Sequence, residues 1–172
     1  MNSKISVLMA LLLFIGTNLF AQEKSKKQLK AERSIEKQRQ TEAMINAKEF
    51  VFVGRTALPT GFKTMNLTSN TNFVKFHPDR IESYMPFFGK AYSGIGYGGD
   101  NGLKFEGKPE EYTFTREAKN YRINASVKGT NDYFKLTLSV SFEGSATLSI
   151  TSNNRSPISY YGEISAPEKK KE

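Results

Sequence analysis

His77 is the only histidine of the chain, and there is no cysteine. Thiolate and imidazole nucleophile systems, and metal centres that need several such ligands, therefore lack their parts. Two other spacings invite chemistry. Gly94, Gly96 and Gly99 have the letters of a dinucleotide-binding fingerprint. That fingerprint works only where a strand ends and a helix begins, because the helix N-terminus holds the pyrophosphate. Here Asp100-Asn101-Gly102 reads as a turn and Leu103 to Phe105 as a strand, so no cofactor is expected. Glu110 and Glu111 have the residue types of an acid/base pair, but adjacent strand residues point to opposite faces, and both follow a Pro turn. They read as surface charges.

Phe76-His77-Pro78-Asp79-Arg80, preceded by Lys75, matches the signature by which J-domain co-chaperones engage an ATPase. Those domains carry it between two helices. Thr64 to Phe76 is rich in Thr, Asn and Phe and is followed by another strand pattern, so Pro78-Asp79 is expected to be a hairpin turn.

With catalysis short of parts, recognition is the chemistry left to place. Tyr84 to Tyr97 breaks the alternation around it and gathers Tyr84, Phe87, Phe88, Tyr92 and Tyr97 among Pro86, Gly89, Gly94 and Gly96. Aromatic rings offer contact area at low entropic cost, and glycine lets another backbone approach closely. Phe87 and Phe88 read as core side chains, Phe being among the most buried types. Tyr92 and Tyr97 are the better candidates for contact with a ligand or partner, since a tyrosine can bury its ring and keep its hydroxyl wet.

The elements that must position these residues show two periods. Ser25 to Lys48 has neither Gly nor Pro and reads as one helix, with its apolar residues gathered late at Ala43, Met44, Ile45 and Ala47. From Glu23 to Lys48 eight Lys and Arg face four Glu, whereas from Glu49 to Pro167 the count is thirteen to eleven, so the basic character lies in the helical segment. Such a basic helix invites a reading as a contact for anionic lipid, lipopolysaccharide or cell-wall polymer, but its outer half offers little apolar surface beyond Leu29 and Ile35, which favours a solvated tether. Export and the lack of a reader motif argue against a nucleic-acid partner.

Beyond Phe50 the period becomes two. Tyr121, Ile123, Ala125 and Val127 alternate with Arg122, Asn124 and Ser126; Phe134 to Phe142 and Ala146 to Ile150 repeat the pattern, and Ile158 to Ile164 adds a fourth strand. Phe50 to Ala57, Asn72 to Phe76, Arg80 to Met85, Gly102 to Phe105 and Glu111 to Arg116 are further strands. About eight or nine short strands with close turns predict a mainly β domain. It is expected to be an antiparallel barrel-like or curved sheet or sandwich with one N-terminal α-helix, whose apolar end covers an edge or open end.

The first residues carry an address. Met1 to Lys4 is short and basic, Ile5 to Ile15 is apolar, and Leu19-Phe20-Ala21 leads to Gln22. This is the pattern of a secretory signal peptide cleaved between Ala21 and Gln22, its core too short to span a bilayer. The expected organisation is a signal peptide at 1–21, a charged helical segment at 22–48, a β-rich domain at 49–167 and a charged tail at 168–172. Roughly 150 residues remain after cleavage, enough for one core. Without cysteine that core has no disulfide, and the residue that bacterial lipoproteins acylate is missing. The expected location is the periplasm or beyond, soluble and without a lipid anchor.

Several landmarks recur in an order that resembles a known family. They are Asn72-Phe73-Val74, Pro86 to Ala91, Gly99 to Phe105 followed by Glu106-Gly107, then Tyr112, and the run Tyr133 to Gly162 with Gly144, Ser152, Arg155, Ile158 and Gly162. Together they resemble the domain of unknown function 4251 family, exported proteins of Bacteroidetes-type bacteria. The resemblance implies an envelope location and a compact β domain, and it supplies no catalytic residue. The expected function is a non-catalytic envelope module that binds a ligand or partner or serves a structural role. The alternative is a carrier holding a lipid or other apolar molecule in a β-enclosed cavity, and a more remote one is an enzyme of unfamiliar type.

Overall fold

Ser25 opens the helix with a reciprocal cap: its backbone N–H donates to Gln28 Oε1 (2.9 Å) and its Oγ accepts from the Gln28 N–H (3.3 Å). The computed structural model describes residues 25–68, 71–92 and 102–167. Helix α1 (Lys26–Ala47) ends at Lys48, which takes the left-handed conformation (φ 55°). The Lys48 N–H bonds the Ile45 carbonyl and the Glu49 N–H the Met44 carbonyl, both at 3.1 Å, the two bonds of a Schellman cap. Backbone contacts divide the chain into two units, Met1–Ile35 and Glu36–Glu172. Of the first, the described part is the opening of α1, and its side chains are exposed up to the half-buried Ser34.

The described residues of the second unit form ten strands: β1 (Phe50–Pro59), β2 (Met65–Asn66), β3 (Phe73–Phe76), β4 (Ile81–Met85), β5 (Leu103–Gly107), β6 (Pro109–Arg116), β7 (Asn120–Lys128), β8 (Tyr133–Ser141), β9 (Ser145–Ser152) and β10 (Ile158–Ser165). All pairings are antiparallel. Nine strands run in the order β5-β4-β3-β1-β10-β9-β8-β7-β6, and β2 adds to β1. The sheet curls into a nearly closed barrel, which settles the expected choice in favour of a barrel over a sandwich. Gly107 at the end of β5 makes this possible, since a Cβ there would stand 2.8 Å from the Lys128 carbonyl on β7. Gly162 does the same between β10 and β1, where a Cβ would drive into the Val53 carbonyl.

The inward set is the one alternation selects. Phe50, Phe52, Val74, Phe76, Ile81, Tyr121, Leu138, Val140, Leu148 and Tyr160 are sealed from solvent. Ring stacks join strands that are not neighbours in sequence: Phe50 on Phe76 (4.5 Å) and Phe105 on Phe134 (4.1 Å). Ile45 is buried with them, and Met44 packs against the cluster. The late apolar residues of α1 thus close one end of the β domain, where Tyr121 Oη donates to Glu42 Oε2 (3.0 Å) and Arg116 pairs with Glu42 (3.6 Å).

The details depart from sequence expectation in three places. Strand β2 is only two residues long and carries no periodic signal, β6 starts at Pro109 rather than Glu111, and a bulge falls between Pro109 and Glu111. The bulge leaves Glu110 and Glu111 both exposed. His77 and Arg80 exchange backbone hydrogen bonds (2.8 and 3.4 Å) around Pro78-Asp79, so this motif is the β3–β4 hairpin turn. Among the described residues, no helix is long and apolar enough to cross a membrane.

Candidate functional site

The turns β7–β8 and β9–β10 leave the same end of the sheet, because two strands separate them. Each is rich in short polar side chains, which bond backbone readily at turns. Gly129 to Asp132 is closed by Gly129 N–H to the Asp132 carbonyl (2.9 Å). Asp132 Oδ1 accepts from the backbone N–H of Tyr133 (2.8 Å) and from that of Asn153 in the other turn (3.1 Å), while Asn154 Nδ2 donates back to the Asn131 carbonyl (3.0 Å). The two turns are therefore one rigid polar platform.

A third segment is tied to it. Tyr92 N–H donates to the Asn154 carbonyl (2.8 Å) and Ser156 N–H to the Lys90 carbonyl (2.9 Å), with Ala91 and Arg155 forming an antiparallel bridge. Lys90 N–H donates to Ser156 Oγ (3.1 Å). Gly89 permits the approach, since a Cβ there would stand 2.5 Å from Ser156 Oγ.

Between the platform and β5 lies a cleft of about 180 Å³, lined by Lys104, Phe105, Glu106, Thr130, Asn131, Asp132, Phe134, Asn154 and Arg155. That is about the space of six waters. A shallower recess of about 360 Å³ shares Thr130, Asn131, Asp132 and Asn154 and reaches Lys128, Tyr133 and Asn153. The stacked Phe105 and Phe134 are nearly buried and form the floor, so the exposed chemistry of the cleft is amide, hydroxyl and charge. Glu106 is paired with Arg80 (3.3 Å). Arg155 donates to the Gly102 carbonyl (2.6 Å) and lies 5.3 Å over the Phe87 ring.

Of the aromatic candidates, Tyr92 is 68% exposed beside Asn154, and Tyr84 is 43% exposed on the outer face of β4. Lys104, a cleft residue, holds its ammonium 4.1 Å over Tyr84, which in turn stacks on Phe73 at 6.1 Å. Neither ring lines the cleft: Tyr84 touches its residue Lys104 from the outer face, and Tyr92 is tied to Asn154 through the backbone. Phe87 and Phe88 do not join them as contact residues: Phe87 is buried under Arg155, and Phe88 is half-buried against the core. Tyr97, the glycines at 94, 96 and 99, the Ala21–Gln22 junction and the tail 168–172 lie outside the described residues. The cleft has no counterpart among the sequence expectations, which place contact residues only within Tyr84 to Tyr97. The available signal was that two Asn/Asp turns separated by two strands must emerge together.

Burial raises the phenol of Tyr112 to about 12, and the same cause holds Tyr160 well above the usual tyrosine range. Tyr160 Oη donates to the Pro86 carbonyl (2.6 Å), fixing the chain that leads to Phe87. Among the described residues, no three His, Cys, Asp or Glu come together as a metal would require.

Known proteins add the lineage. The model of the family described as domain of unknown function DUF4251 matches residues 32–164. A solved crystal structure of a DUF4251 family protein from Bacteroides eggerthii shares this fold with a TM-score of 0.60 at 20% identity. The likeness covers 76% of this chain and 87% of that one. The sequence matches no curated protein. With most of the chain matched by one family model over the strands that build the barrel, the protein belongs to the DUF4251 family.

Proposed function

We propose that the protein is an exported, non-catalytic module of the cell envelope, most of it periplasmic domain, that binds a hydrophilic ligand or partner segment in the polar cleft. The observation that carries this reading is the cross-bonded pair of turns, in which Asp132 accepts from the Asn153 N–H and Asn154 donates to the Asn131 carbonyl, holding carboxylate and amide groups in place near the exposed Tyr92. Preorganised polar groups next to an exposed aromatic are the means by which a surface site orients a ligand without a large ordering cost. The packing of Phe50, Phe52, Phe76, Tyr121 and Tyr160 inside the barrel supports a site on its surface over an apolar cargo in its lumen.

The test uses Tyr92→Ala combined with Asn131→Ala, which leaves the bonds between the two turns in place. Mass spectrometry of species that co-purify with the protein should show one that is lost from the double variant at unchanged melting temperature. Identical species on both proteins would place binding elsewhere. N-terminal sequencing of the secreted protein checks the export part of the reading, which expects Gln22 as the first residue.

A further inference from the structure

The opening turns of α1 gather basic side chains along one face. Lys26, Lys30 and Arg33 follow at i, i+4 and i+7, the spacing that returns to one side of a helix, Lys27 stands beside Lys26, and all four are exposed. Glu32 is the only acidic residue from Lys26 to Ile35, and it points to another side. The four cations lie within roughly 10 Å of helix rise, about one Debye length at 0.1 M salt. An opposing surface therefore feels them together. Leu29 shares a face with Arg33 and is 40% exposed. Apolar residues are too few for insertion, so any attachment here is Coulombic, with Leu29 as a minor apolar contact.

We propose that this face docks the protein onto an anionic lipid bilayer by adsorption, without a membrane-inserted helix. A flat field of headgroup charge meets all four long side chains at once, and Leu29 at the edge of the row gains from the acyl boundary what a charged polymer in water does not offer. Apolar periodicity, the basis for reading a solvated tether, reports on insertion and is silent about charge. The contact uses no cleft residue, so it stands or falls apart from the proposed binding site.

Co-sedimentation with vesicles tests it. A basic residue near an anionic surface contributes about fivefold in affinity. The net of three positive charges from Lys26 to Ile35 then gives on the order of a hundredfold preference for phosphatidylglycerol over phosphatidylcholine at 0.1 M salt, and the preference should collapse at 1 M salt. K26Q/K27Q/K30Q/R33Q should abolish it at unchanged melting temperature, and K26R/K27R/K30R should keep it, which separates loss of charge from any change in the helix. Equal binding to both lipids, undiminished binding by the Gln variant, or capture by dextran sulfate without capture by phosphatidylglycerol would each overturn the proposal.

Discussion

The two ends of the β domain are closed by opposite chemistry on the same strands. Where β7 begins and β8 ends, the last turns of α1 bury Thr41 and Ile45, and one phenol–carboxylate bond, Tyr121 to Glu42, fixes the helix there. Where β7 ends and β8 begins, closure comes from Asp132 accepting from the Asn153 N–H and Asn154 donating to the Asn131 carbonyl, and the surface they leave is polar and open. Burial of an aliphatic side chain contributes about 1.5–3 kcal/mol, and an exchanged hydrogen bond about 1 kcal/mol. The helix end thus carries more of the stability of the fold than the turn end does.

Truncating the helix end should have the largest effect. Ile45→Ala removes a side chain that is 1% exposed among packed neighbours, and such changes cost about 2–5 kcal/mol. A melt in urea should show a midpoint well below that of the parent with an unchanged slope. A loss under 1 kcal/mol would mean that the helix end is dispensable and the contrast between the ends is false. At the other end, Asp132→Ala removes the acceptor of two backbone N–H groups, one of them in an exposed turn. A loss of about 1–2 kcal/mol is expected, with faster amide exchange at Tyr133 and Asn153 and no change at the helix end. Exchange that rose at both ends would show that they are not independent.

The same contrast explains how far the sequence could be read. Burial leaves a periodic trace, and β8 and β9 follow it, as does β7 from Tyr121 to Ala125, whereas Ser126, expected on the wet face, is buried. Met44 and Ile45 of the late apolar cluster announced the docked end of α1, although Ala43 and Ala47 of the same cluster are exposed. Hydrogen bonding between loops leaves no such trace. Lys104, Asn131 and Asn154 meet only because strand register brings β5 and two turns together, and β2 exists because Met65 and Asn66 find β1, not because two residues carry a pattern. Lys48 in the left-handed conformation is a further case, since a glycine would have been the sequence signal for that cap.

The smallest effect concerns the tyrosine that belongs to neither end. Tyr112 on β6 points its hydroxyl into the protein, where it has no hydrogen-bond partner, and its ring lies 4.6 Å beneath the Lys48 ammonium. Tyr112→Phe keeps the ring and its cation contact and discards only the unpaired polar group, so it should be neutral or stabilising by up to about 1 kcal/mol at pH 7. Its alkaline behaviour follows from the raised phenol. Unfolded tyrosine ionises near 10, whereas folded Tyr112 does so at about 12 because burial disfavours its charged form. Stability linked to this group is intact below pH 10 and falls as pH rises from 10 towards 12, because the unfolded chain releases its proton first. Removing the hydroxyl should therefore make the alkaline decline shallower, followed as unfolding free energy between pH 9 and 11. Burial likewise raises Tyr160 and Tyr121, so part of the decline should remain. A Phe variant that loses more than 1 kcal/mol at pH 7 would mean that the hydroxyl is satisfied in solution, by an ordered water or by movement of β6.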